Sequence, residues 1–233
     1  KMMFPKHRSS IMKTDSKIKI DVQDELSWEP SIDETKIGVT VDNGIVTLSG
    51  KVDSYAKKIA AEEAAKRVHG VKAVAEDIEV GYANSNKPND TEIAKAAVNA
   101  IKWDTSIPEG KVMVKVENNW VYLSGEVNWD YQKDSAKLVV QNLNGVRGVI
   151  NSIKLKSEQK TKDIKRLIGE ALKRSATIDS NNVKVWVDGD TVTLTGNVNS
   201  IKEKEDAQRA AYLAPGVCNV KNNLKVEPKT VYA

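Results

Sequence analysis

The sequence predicts an α+β protein made of three tandem αββαβ modules, each a three-stranded mixed sheet with two helices on one face. Three observations carry this expectation. A strand motif appears three times, as Gly44-Ile-Val-Thr-Leu-Ser-Gly50, Asn119-Trp-Val-Tyr-Leu-Ser-Gly125 and Asp190-Thr-Val-Thr-Leu-Thr-Gly196. Twenty residues after each closing glycine stands a Gly-Val pair: Gly70-Val71, Gly145-Val146 and Gly216-Val217. Both landmarks move by the same offsets, 75 residues from the first copy to the second and 71 from the second to the third. Whole units are therefore repeated, which sets the architecture before any single element is assigned.

Each unit opens on a helix. Ile18, Val22 and Leu26 recur four apart, as do Ile93, Ala97 and Ile101, then Ile164, Ile168 and Leu172. Four-residue spacing is one stripe on a helix and hence one buried face. Thr91 and Thr161 are the expected N-caps of the second and third copies. Two alternating runs follow: Ile37, Val39 and Val41, then Val46, Leu48 and Val52. Their counterparts are Val112, Val114 and Val116 with Val121, Leu123 and Val127, and Val183, Val185 and Val187 with Val192, Leu194 and Val198. Asn43-Gly44, Asn118-Asn119 and Gly189-Asp190 join the runs and tolerate the positive φ of tight hairpin turns.

A second helix is expected after Asp53, Asn128 or Asn199. Its inner stripe is rich in alanine, with Ala61, Ala64 and Ala65 in the first copy, Ala136 in the second, and Ala207, Ala210 and Ala211 in the third. Alanine lets a helix lie close to a sheet. Gly70, Gly145 and Gly216 end these helices. A last strand holds Val71, Val74, Ile78 and Val80, and the spacing from Val74 to Ile78 suggests a bulge. Module boundaries are read at 16–80, 90–155 and 161–226, after a leader at 1–15 and with polar links between.

Composition narrows the function. Of 233 residues 40% are apolar but only 5% aromatic, with one Phe, so small aliphatics must fill several small cores. No apolar run approaches the length of a transmembrane helix. Cys218 is the single cysteine, so no internal disulfide can form. The basic stretch Lys1 to Ile11 lacks the apolar core of a secretory signal, and Met12 reads as a native start. A cytoplasmic chain is then expected; a secreted chain with its signal removed would instead be periplasmic.

The V-x-L-[ST]-G strand followed by the G-V turn resembles the BON domain, three times over and along almost the whole chain after Lys13. The resemblance implies a non-catalytic αββαβ module that binds phospholipid surfaces or acts as an adaptor in envelope and osmotic-stress proteins. It places the family's characteristic glycine at Gly50, Gly125 and Gly196.

Those glycines lie on the apolar face of their strand, and room for the alanine-lined helix is the expected reason, with ligand contact as the alternative. Trp28 and Trp103 end the first helices and are expected to cap the sheet edge. Met113, Trp120 and Tyr122 alternate with core residues and so face outward from the hairpin, as does Trp186 in the third copy. Packing between repeats, a protein partner and lipid are the three readings of that face, in that order. Modules one to three carry 9 bases and 13 acids, 8 of each, and 11 bases and 8 acids, hence −4, 0 and +3. This drift permits attraction between first and third modules, within one chain or in a weak homo-oligomer. It also permits contact of Lys165, Arg166, Lys173 and Arg174 with an anionic phospholipid surface.

No enzyme, cofactor or metal site is expected. His7 and His69 are the only histidines, and His69 stands where the other copies have Asn144 and Pro215. Cys218 holds the slot of Lys72 and Arg147, which marks a surface thiol. Gly145-Val-Arg-Gly148 spells a GxxG, but it leads from helix to strand and its counterparts lack the second glycine, so nucleic acid is not expected. A binding or adaptor protein for a protein partner or a phospholipid surface remains.

Overall fold

The computed structural model describes residues 13–81, 88–156, 163–175 and 177–227; Met12, His7 and Thr161 lie outside the described residues. Module one runs α1 (Asp15–Ser27), β1 (Ile37–Asp42), β2 (Ile45–Val52), α2 (Tyr55–Arg67) and β3 (Ala73–Val80). Module two runs α3 (Asp90–Trp103), β4 (Val112–Glu117), β5 (Trp120–Val127) and α4 (Asp130–Gln141), with its third strand in two pieces, β6 (Gly148–Asn151) and β7 (Lys154–Leu155). Module three runs α5 (Ile164–Arg174), β8 (Val183–Asp188), β9 (Thr191–Val198), α6 (Ile201–Tyr212) and β10 (Asn219–Val226).

In each module the second strand is central, antiparallel to the first and parallel to the third. Ile45 pairs with Ala73, Trp120 with Gly148 and Thr191 with Asn219, so the second and third strands keep one register in all three copies. The second helix supplies the crossover that a parallel pair requires. Its alanines Ala61, Ala64 and Ala65 are fully buried against Val46 and Leu48, and Ala136, Ala207 and Ala211 are buried in the same way.

An aspartate at the start of the first helix ties that helix to the hairpin turn. Asp15 accepts hydrogen bonds from the backbone N–H groups of Asn43 (2.7 Å) and Gly44 (2.9 Å), and Asp90 accepts from those of Asn118 and Asn119 (2.8 Å each). The turn residues Asn43, Gly44, Asn118 and Asn119 all have positive φ, as the hairpin chemistry requires.

Helix starts differ from the sequence reading. Asn89 caps α3 in place of Thr91, because Glu92 stands three residues later and closes a capping box with two 3.0 Å bonds. The second helices are capped one residue later than expected, by Ser54, Trp129 and Ser200. Gln132 and Glu203, at the third helical position, turn back and accept from the backbone N–H groups of Asn128 and Asn199, which makes those residues the approach to the helix and not its cap.

The glycine reading is also corrected. Gly50, Gly125 and Gly196 have φ of +137°, +126° and +127°, and a Cβ there would strike the carbonyl oxygen of Lys36, Lys111 or Asn182. The close approach is to the backbone leading into the neighbouring first strand, not to the helix. Both the dihedral and the collision exclude a side chain. Gly125→Ala should lower unfolding free energy by about 2 kcal/mol or more, and a denaturant midpoint that does not move would refute this account.

No bulge interrupts β3. Its inward positions are Val74, Glu76, Ile78 and Val80 in regular alternation, and Glu76 is the residue that made the apolar spacing look irregular. The equivalent residues are Asn151 and Asn222, whose side-chain amides donate to the carbonyls of Lys133 and Lys204 on the second helix (2.8 Å each). A carboxylate cannot donate. Glu76 lies 3.6 Å from Lys58, and its other oxygen is buried without a hydrogen-bond partner. Burial pushes its pKa up, against the pull of Lys58. Glu76→Asn should therefore stabilise the protein by about 1 kcal/mol at neutral pH. The gain should shrink in acid, where the wild-type carboxyl regains its proton; thermal melts across pH measure it.

Candidate functional site

The outward residues come first. Met113, Trp120, Tyr122 and Ile150 share the solvent face of the module-two sheet, on neighbouring strands. Met113 is 63% exposed and Trp120 42% exposed. The Trp120 ring lies against Gly148, its strand partner, where a Cβ would have no room. The Lys115 ammonium sits 5.4 Å from the Tyr122 ring centroid and is paired with Glu117 at 2.8 Å. In module three, Trp186 is 63% exposed and Lys165 approaches its ring at 5.4 Å. Packing between repeats, the first reading of this face, is not what the structure shows.

Trp28 and Trp103 require a second correction. They end α1 and α3 as expected, yet they are 83% and 84% exposed and cap no sheet edge. Ile32 and Ile107 are the buried residues in the segments that follow, and they close those ends of the cores. Lys165, Arg166, Lys173 and Arg174 are all exposed on α5, with Arg166 bound to Glu170 at 2.8 Å. Cys218 is half-buried at the approach to β10.

A second place was not foreseen from sequence. The first residue of each second helix is Tyr55, Asp130 or Ile201, and each meets the next module. Tyr55 is buried in the module-two core together with Val80. Ile201 packs against the module-one core. Asp130 faces Arg209 and Tyr212 of module three. The packed contacts run one to two and three to one, while between two and three Asp130 faces Arg209 and Tyr212 across a cleft that completes the ring.

Ion pairs do join modules one and three, but the shorter one runs against the expected polarity, from a base of module one to an acid of module three, and only Lys202 with Glu63 has the expected sense. Lys66 bonds Glu205 at 3.0 Å as well as Glu62 (2.8 Å) and Glu63 (3.2 Å), and Lys202 lies 3.8 Å from Glu63. Burial opposes the Lys66 charge, but hydrogen bonds to Glu62 and Glu205 hold its pKa above the ordinary lysine value.

Between α2, α4 and α6 lies a half-open cavity of about 490 Å³. Ile59, Trp129, Tyr131, Leu138 and Tyr212 wall it, and Asp130, Asp134 and Arg209 open into it. Burial pushes Asp130 up to about 6; Asp134 adds to the rise, while Lys133 and Arg209 oppose it. The sequence did carry a signal. Trp129 and Tyr131 replace Ser54 and Ala56 of the first copy and Ser200 and Lys202 of the third, so this helix start departs from its own repeat.

Comparison with known proteins follows this geometry. The family model for the BON domain matches residues 14–82, 89–157 and 160–228. The chain belongs to the BON domain family. It is 32% identical over 146 residues to osmotically-inducible protein Y of Escherichia coli strain K12, covering 61% of this chain and 73% of that protein. Two solved structures of CdsD, a structural protein of the type III secretion system of Chlamydia trachomatis, are 16% identical. They cover 90% and 94% of this chain at a TM-score of 0.26, too low to support an argument. Among the described residues, no helix of this BON protein is long and apolar enough to cross a membrane.

Asp130 makes the ring sensitive to pH. Its folded pKa of about 6 exceeds the ordinary 3.8, so the folded state holds a proton that the unfolded chain has released. Its contribution is fully present below about pH 4 and is lost as pH rises through 6. Asp130→Asn should raise stability above pH 6 by on the order of 1–2 kcal/mol after solvent screening and leave stability at pH 4 nearly unchanged. Thermal melts at both pH values check this, and equal shifts at the two would contradict it.

Proposed function

We propose that this chain is a non-catalytic binding protein that docks on phospholipid surfaces through its outward tryptophans and presents the module-two sheet to a protein partner. One observation carries the reading: none of the five tryptophans is buried. Tryptophan is ordinarily among the more buried side chains, and its apolar body with a polar N–H suits a boundary between water and an apolar phase. Trp28 and Trp103 project from equivalent helix ends in two modules, and no core uses them.

The charge distribution supports an anionic surface in particular. Lys165 over Trp186 sets a cation beside an indole, and Arg166, Lys173 and Arg174 are exposed on the same helix. Basic residues near a negatively charged leaflet contribute about 1 kcal/mol each. A role in osmotic stress is supported by the likeness to osmotically-inducible protein Y. The face formed by Met113, Tyr122 and Ile150 favours a protein partner, because it is apolar at its centre and the cation nearest Tyr122, Lys115, is already paired with Glu117.

Co-sedimentation with anionic and neutral vesicles tests the proposal. Binding to anionic vesicles should weaken with salt, and it should fall about tenfold in a Trp28→Ala/Trp103→Ala double variant. Alanine at Lys165, Arg166, Lys173 and Arg174 should flatten the salt dependence. Both variants should melt within about 0.5 kcal/mol of wild type, as exposed substitutions do. No sedimentation with either vesicle would remove the phospholipid reading.

A further inference from the structure

The cavity where α2, α4 and α6 meet is set apart from Trp28, Trp103, Trp120 and Trp186, is lined by the fifth tryptophan, Trp129, and has the chemistry of a ligand site. Its volume of about 490 Å³ is that of a small-molecule pocket. Its walls are aromatic and aliphatic, and besides Glu63 and Glu205 two acids, Asp130 and Asp134, and two bases, Lys137 and Arg209, line it. Neither Asp130 nor Arg209 makes a side-chain hydrogen bond or an ion pair with any described residue. The other acids of the lining, Glu63 and Glu205, are already engaged in ion pairs with Lys66 and Lys202, which they share with Glu62 and Asp206. What remains is Asp130 at the start of α4, with Asp134 one turn on, facing Lys137 of α4 and Arg209 of α6 across the cavity without a hydrogen bond between Asp130 and Arg209.

We infer that this cavity binds a small zwitterionic solute, with its ammonium end against Asp130, Asp134 and the Trp129 and Tyr131 rings and its anionic end on Arg209. Aromatic faces attract an alkylated ammonium through their negative π-clouds, most strongly where water is displaced. Arg209 offers a planar fork that suits a carboxylate or phosphate. A ligand with one charge only would leave the opposite group of the cavity unmatched and desolvated, which is the basis of selection. Because three modules contribute lining residues, an occupant would also hold the ring closed, and it would stabilise the folded state by mass action.

The test uses the full chain at pH 7.5 and three probes: trimethylglycine, tetramethylammonium and acetate. Calorimetry gives affinity, and backbone chemical shifts locate the site. Trimethylglycine should saturate, with shifts centred on Asp130, Tyr131 and Arg209, and the two singly charged probes should bind at least about tenfold more weakly. Asp130→Asn, which keeps or improves the fold, should reduce affinity about tenfold, and Arg209→Met should do the same. Tetramethylammonium binding as tightly as trimethylglycine would overturn the inference. So would absence of saturation by trimethylglycine, or affinity unchanged in both variants. Any of these results would leave vesicle binding through Trp28 and Trp103 standing.

Discussion

The seat of an alanine-lined helix on the middle strand is the constraint on which the rest of each module depends. Ala61, Ala64 and Ala65 bring α2 close to Val46 and Leu48, and that closeness keeps the core thin. A thin core holds valine, isoleucine, leucine and alanine but has no room for an indole. The tryptophans must then lie outside, where they are either a liability or a means of contact.

The fold was largely legible in the sequence because repetition supplied three readings of each element. Ile18, Val22 and Leu26 are buried as their spacing requires, and the hairpin turns have the positive φ that Asn43-Gly44 and Asn118-Asn119 foretell. The errors were local and share a cause. Thr91 and Asn89 can both cap a helix, and only the position of Glu92 decides between them. Glu76 looked like an interruption because a charged residue on an inward position breaks an apolar pattern without breaking the strand. Gly50 sits on the apolar face, but periodicity cannot tell whether a helix or a neighbouring backbone comes near.

The candidate sites were legible in unequal measure. Outward placement of Met113, Trp120, Tyr122 and Trp186 follows from period-two alternation, which fixes a face but not what covers it. Exposure of Trp28 and Trp103 was hidden, since a helix end permits either orientation and Ile32 and Ile107 had already closed the core. The junction was least legible. Tyr55, Asp130 and Ile201 have no residue type in common, and only superposition of the repeats reveals that they share a position and a task.

That shared position has a consequence for how the chain endures damage. Packed interfaces join module one to both other modules, so a single cut in the covalent connection between modules would not by itself set one adrift. Each piece would be retained by its remaining contacts at a high effective concentration.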